Sequence, residues 1–187
     1  MTLDVEYVFK VVIVGPRAVG KTTLVRRYTG RVFMEGAKRT IGVDFSLQKV
    51  DINQTKLDPP VRQISLQLWD FAGESRFETV LPYYLAGTDI ALLAFDCSRV
   101  ETFEPLPHWL RAIRNCVPTV PIILVSMKND LEAEVPSAAI KEFMQKETIK
   151  HFFQTSSKTG QNIDEVFHTC VNYALEYLQK STISPQE

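Results

Sequence analysis

Gly15-Pro16-Arg17-Ala18-Val19-Gly20-Lys21-Thr22 decides the fold. It fits the pattern G-x-x-x-x-G-K-[ST], a loop whose backbone N–H groups can turn inward onto phosphate oxygens. The apolar run Val8–Val14 before it reads as a buried strand, and Thr23–Tyr28 after it as the first turns of a helix. A helix start adds unpaired N–H groups and the positive end of a dipole. Gly15, Arg17, Ala18, Val19, Gly20, Lys21, Thr22 and Thr23 are therefore candidate phosphate contacts. Lys21 can reach the β- and γ-phosphates, and the Thr22 hydroxyl can ligate magnesium.

Working outward, apolar strand-like runs (Val8–Val14, Ile90–Phe95, Ile122–Val125) alternate with helical segments, which predicts a parallel sheet covered on both faces. Ile163, Val166, Phe167, Cys170, Val171, Ala174, Leu175 and Leu178 form the apolar stripe of a last helix, with Asn162 and Glu165 as a capping box. Between Val43 and Asp70 two strands form a hairpin around the turn region 53–60.

The chain has 187 residues, 45% of them hydrophobic, and reads as one domain with residues 1–6 and 180–187 as flexible termini. A formal net charge of -1 gives no electrostatic reason to expect nucleic acid or an anionic membrane as the main partner. Cys97, Cys116 and Cys170 lie in apolar surroundings and read as small buried residues of a reducing compartment. His108, His151 and His168 have no second ligand at metal spacing, so no zinc site is expected. No secretory leader or membrane-spanning run is present, and a cytoplasmic location is expected. The last seven residues carry no cysteine, so a membrane becomes a partner only if a lipidated tail lies beyond this chain.

Four further elements point to the nucleotide. Asp70-Phe71-Ala72-Gly73 follows a strand: the carboxylate can hold a magnesium-bound water, and the Gly73 N–H can face a γ-phosphate. Lys128-Asn129-Asp130 follows another, and a buried Asp130 can accept two hydrogen bonds from guanine that adenine cannot offer. Thr155-Ser156-Ser157-Lys158 can present N–H groups to the guanine carbonyl. Thr40 lies in a loop whose hydroxyl can complete a magnesium shell only while a γ-phosphate is present.

With these elements in this order, the chain resembles a small GTPase of the Ras superfamily from Tyr7 to about Leu178. Thr40–Phe45, and Trp69 before Asp70, make it most similar to the Rab branch. The resemblance implies a P-loop domain with a six-stranded, mostly parallel sheet, an antiparallel edge strand at Val43–Asp51 and about five helices. It implies a monomeric switch that binds GTP or GDP with magnesium, hydrolyses GTP, and meets effector, exchange-factor and activating proteins at its switch loops. Thr22 and Thr40 would ligate magnesium directly and Asp70 through water, with Lys21, Glu74 and Thr40 as catalytic residues. Phe33 would cover one face of guanine, the Lys128 stem the other, and Asp130 would read its edge. Phe45, Trp69 and Tyr83 or Tyr84 would form an effector-reading aromatic patch, or ordinary core.

Departures from relatives cluster on the γ-phosphate. Glu74 replaces a water-orienting Gln, Arg17 a small residue, Ala18 a Gly, and Ala37 a phosphate-covering Tyr. Arg17 and Glu74 either pair and slow hydrolysis, or Arg17 acts as an arginine finger in cis. Met127 stands where relatives have an Asn that braces the base pocket, so weaker affinity with retained guanine selectivity is expected. A GTP-binding scaffold without hydrolysis is the other reading. Pro105 and Pro107 are expected to weaken the start of the helix carrying Trp109, unless Pro105 sits within the first turn, where the cost is small.

Overall fold

The run Tyr7–Val14 forms β1, whose last four residues are fully buried, as a strand covered on both faces requires. In this computed structural model, residues 7–31, 42–54, 61–73 and 81–183 are described. After β1 come α1 (Lys21–Tyr28), β2 (Val43–Gln54), β3 (Val61–Phe71), α2 (Leu81–Leu85) and β4 (Ile90–Asp96). They are followed by α3 (Leu106–Cys116), β5 (Ile122–Met127), α4 (Ser137–Lys146), β6 (His151–Gln154) and α5 (Ile163–Ile183). The strands make one six-stranded sheet in the order β2-β3-β1-β4-β5-β6. Only β2 pairs antiparallel, against β3, so the carboxyl ends of the other five strands share one edge. The fold is a P-loop small G domain.

Two apolar clusters fill the faces of the sheet. On one, α1 and α5 pack over β1, β3 and β5, and Tyr28 stacks on Phe167 with ring centroids 3.8 Å apart. On the other, α2, α3 and α4 cover a cluster around Phe95 and Trp109. Fully burying one such side chain stabilises the fold by about 1.5–3 kcal/mol. The α5 stripe points inward as expected, Leu175 being only partly buried.

Several local expectations change. Asn162 does not close a capping box. It sits at φ 52°, and its Nδ2 donates to the Gln154 carbonyl at 2.7 Å, tying the start of α5 to β6. Helix α5 runs to Ile183, four residues into the stretch read as a flexible tail. Cys116 is only half-buried, unlike Cys97 and Cys170. Pro105 caps α3 and Pro107 lies in its first turn, where a missing N–H costs little. Among the described residues no helix is long and apolar enough to cross a membrane.

Candidate nucleotide-binding site

The loop 15–20 leaves β1 between β3 and β4, at the sheet edge where open α/β sheets bind ligands. Gly15 is obligatory there. Its φ is 140°, and a Cβ would lie 2.1 Å from the Ala94 carbonyl oxygen of β4. Gly20 caps α1, which starts with Lys21, Thr22 and Thr23. Val19 is buried, while Arg17 and Ala18 are exposed. Ala18 has a left-handed backbone, at φ 60°.

Lys21 is buried, and its ammonium donates to the Gly15 carbonyl at 2.8 Å and the Pro16 carbonyl at 2.7 Å. Burial pulls its pKa down to about 8, against the opposing pull of Asp70. The Thr22 hydroxyl donates to the buried Asp70 carboxylate at the end of β3. A hydroxyl and a carboxylate brought together by two elements are a hard-oxygen pair of the kind magnesium takes. Gly73, two residues past β3, lies directly on the phosphate loop: a Cβ there would come 2.4 Å from the Gly15 carbonyl oxygen. Gly15, Lys21, Thr22, Asp70 and Gly73 thus converge.

At the other end, Thr155 and Ser156 are fully buried, Ser157 is half-buried and Lys158 exposed. The Ser156 hydroxyl donates to Asp130 Oδ1 at 2.5 Å, a role for its side chain that the motif alone did not show. Asp130 itself is exposed, contrary to the buried carboxylate expected. The Asn129 Nδ2 donates to the Ser126 carbonyl at 2.8 Å, Ser126 Oγ at 2.9 Å and the Thr155 carbonyl at 3.3 Å. An amide thus joins β5 to the 155–158 loop, although Met127 offers none.

Asp96, fully buried at the end of β4, is the site residue that motif reading misses. Its Oδ2 accepts from Lys128 Nζ at 2.7 Å and Arg99 Nε at 2.9 Å. Its Oδ1 accepts from the Ser98 N–H at 3.1 Å and the Ser98 hydroxyl at 2.7 Å. Burial alone would raise this carboxyl, but the bonds from Lys128, Ser98 and Arg99 outweigh it and hold the pKa below the ordinary value. The one signal in the sequence is a carboxylate at the end of the apolar run Ile90–Phe95.

The Ras family profile matches residues 10–176, across both the phosphate loop and the 128–130 and 155–158 loops. The chain belongs to the Ras family. Among Rab relatives, it is 35% identical over 185 residues to Ras-related protein RABA4b of Arabidopsis thaliana, covering 97% of this chain and 79% of that one. It is 35% identical to Ras-related protein Rab-2B of Dictyostelium discoideum over 94% of this chain and 85% of the relative. To Ras-related protein Rab-30 of Homo sapiens it is 36% identical over 88% and 78%.

In this Rab-like small GTPase the aromatic patch takes definite form. Phe45 is exposed and meets Trp69 edge-on at 5.5 Å. Trp69 meets Tyr84 at 6.1 Å, and Tyr84 meets Phe71 at 5.5 Å. Tyr84, not Tyr83, joins this chain of rings, since Tyr83 is 82% exposed. The Lys10 ammonium lies 4.5 Å above the Trp69 ring. Trp69 and Tyr84 pack against core while Phe45 faces out, so the patch is part core and part surface. Phe33, Ala37, Thr40 and Glu74 lie outside the described residues.

Proposed function

We propose that this single G domain, residues 1–187, binds GTP and GDP and hydrolyses GTP slowly, as a Rab-like switch that signals to effector proteins. The meeting of Thr22 and Asp70 beneath a phosphate loop whose lysine is already seated carries this reading. N–H groups of Gly15 and of residues 17–23 hold the β- and γ-phosphates, and Lys21 offsets their charge. Asp130, steadied by Ser156, accepts from the guanine edge, and Lys128, held on Asp96, lies along the base. Magnesium, when bound, neutralises phosphate charge, with Thr22 and Thr40 as direct ligands and Asp70 acting through water. Phe33 covers the base. The loops carrying Thr40 and Gly73 respond to the γ-phosphate.

Hydrolysis is attack of water on the γ-phosphorus, with GDP leaving through its β-phosphate oxygen. Glu74 lacks the amide donor of a water-orienting Gln, and its carboxylate is repelled by the γ-phosphate. The exposed Arg17 crowds the space an activating protein's arginine would use. Single-turnover hydrolysis of GTP tests the reading. Arg17→Ala and Glu74→Gln are each expected to speed turnover; slower turnover in Arg17→Ala identifies an arginine acting in cis. Bound GTP recovered intact after hours would mark a scaffold instead. Calorimetry in which the protein ignores guanine nucleotides, with and without magnesium, would end the reading altogether.

A further inference from the structure

We propose that Arg99 is a positioning residue for nucleotide retention, bracing the phosphate loop from the base side, where the Met127 sulfur accepts from the Thr155 hydroxyl rather than bonding the loop; this rests on the guanine-nucleotide reading above. Its guanidinium spans two elements. Nε donates to the buried Asp96 carboxylate at 2.9 Å, and Nη2 donates to the Ala18 carbonyl at 3.0 Å, 81 residues away in sequence. The same Asp96 oxygen holds Lys128, so one carboxylate and one guanidinium link the base-side lysine to the phosphate loop. Met127 sits beside the loop too, its Cβ 4.0 Å from where a Cβ on Gly20 would lie, but that contact is apolar.

The effect on the loop follows from peptide geometry. In a planar trans peptide the C=O and the next N–H point in opposite directions. Holding the Ala18 carbonyl on Arg99 therefore fixes the opposite edge of the same peptide, the Val19 N–H, one of the donors assigned to the phosphates. Ala18 needs this hold more than a glycine would, because its left-handed backbone is disfavoured for a residue with a Cβ. The planar, forked guanidinium suits this double contact, serving a carboxylate and a carbonyl at once, whereas an ammonium offers a point charge. Arg99 also approaches Glu101 at 4.0 Å, a surface pair that touches neither the base side nor the loop.

Release of a fluorescent GDP analogue from the full chain, chased with excess GDP in magnesium buffer, tests the proposal. Arg99→Ala is expected to release nucleotide about tenfold faster, in line with loss of one partly exposed charge-assisted bond. Arg99→Lys, able to reach one acceptor at a time, is expected to fall between wild type and Arg99→Ala. Glu101→Ala is expected to stay within about twofold of wild type, as exposed ion pairs contribute little. An acceleration below about threefold in Arg99→Ala, or release from Arg99→Lys as fast as from Arg99→Ala, overturns the proposal. Should Arg99→Ala fail to fold, Arg99→Lys against Glu101→Ala decides alone, and equal rates in those two overturn it. Failure of the nucleotide reading looks different: wild-type protein then takes up no analogue at all.

Discussion

Ala18 and Asp130 show how single residues set the quality of the site. Ala18 holds φ 60° in the phosphate loop, a conformation that costs an L-residue roughly 1–2 kcal/mol and a glycine little. Ala18→Gly is therefore expected to stabilise the protein by about 0.5–1 kcal/mol, after allowance for glycine's greater freedom in the unfolded chain, as read by urea denaturation. Asp130 is fixed by Ser156 yet exposed, so the discrimination proposed for it would operate only once a base excludes water from it. Asp130→Ala is expected to weaken GDP binding by about a hundredfold or more and leave ATP binding unchanged, as measured by competition against a labelled nucleotide. The motifs single out both residues as candidate site positions. What remained hidden was exposure, because a strand-end position says where a carboxylate sits but not how deep.

At the scale of elements, strands were easier to read than their ends. The nearly continuous apolar runs of β1, β4 and β5 announce strands covered on both faces, and all are found. Contacts that close between distant elements leave no periodic trace. Arg99 reaching Ala18, Asn129 bridging β5 to the 155–158 loop, and Asn162 turning back to β6 are of this kind. Tyr83 and Tyr84 are neighbours on the five-residue α2, too short for an apolar stripe to set their phase. The carboxyl end of β4 gives an element-level prediction. Asp96 has a folded pKa below its unfolded one, so it stabilises the fold above its unfolded pKa, and that contribution is lost as pH falls through the folded one. Below about pH 4, wild-type stability is expected to fall more steeply with acid than that of Asp96→Asn, in denaturant melts at successive pH values.

At the scale of the whole molecule, the site is a property of sheet topology. The proposed phosphate, cation and base contacts come from residues far apart in sequence: 15–23, 70–73, 96–99, 128–130 and 155–158. Parallel β1, β3, β4, β5 and β6 bring all of them to one edge. Relatives about 35% identical align over nearly the entire chain.

The indole of Trp69 abuts the carboxylate-bearing end of β3, lies under the Lys10 ammonium and touches rings from β2 and α2. Its emission is therefore expected to serve as a native optical reporter, since a nearby ammonium can quench excited indole. With the other tryptophan silenced as Trp109→Phe, swapping GDP for a non-hydrolysable GTP analogue is expected to change the residual emission by about ten per cent or more. A flat trace would mean that this aromatic cluster stands still while the nucleotide changes.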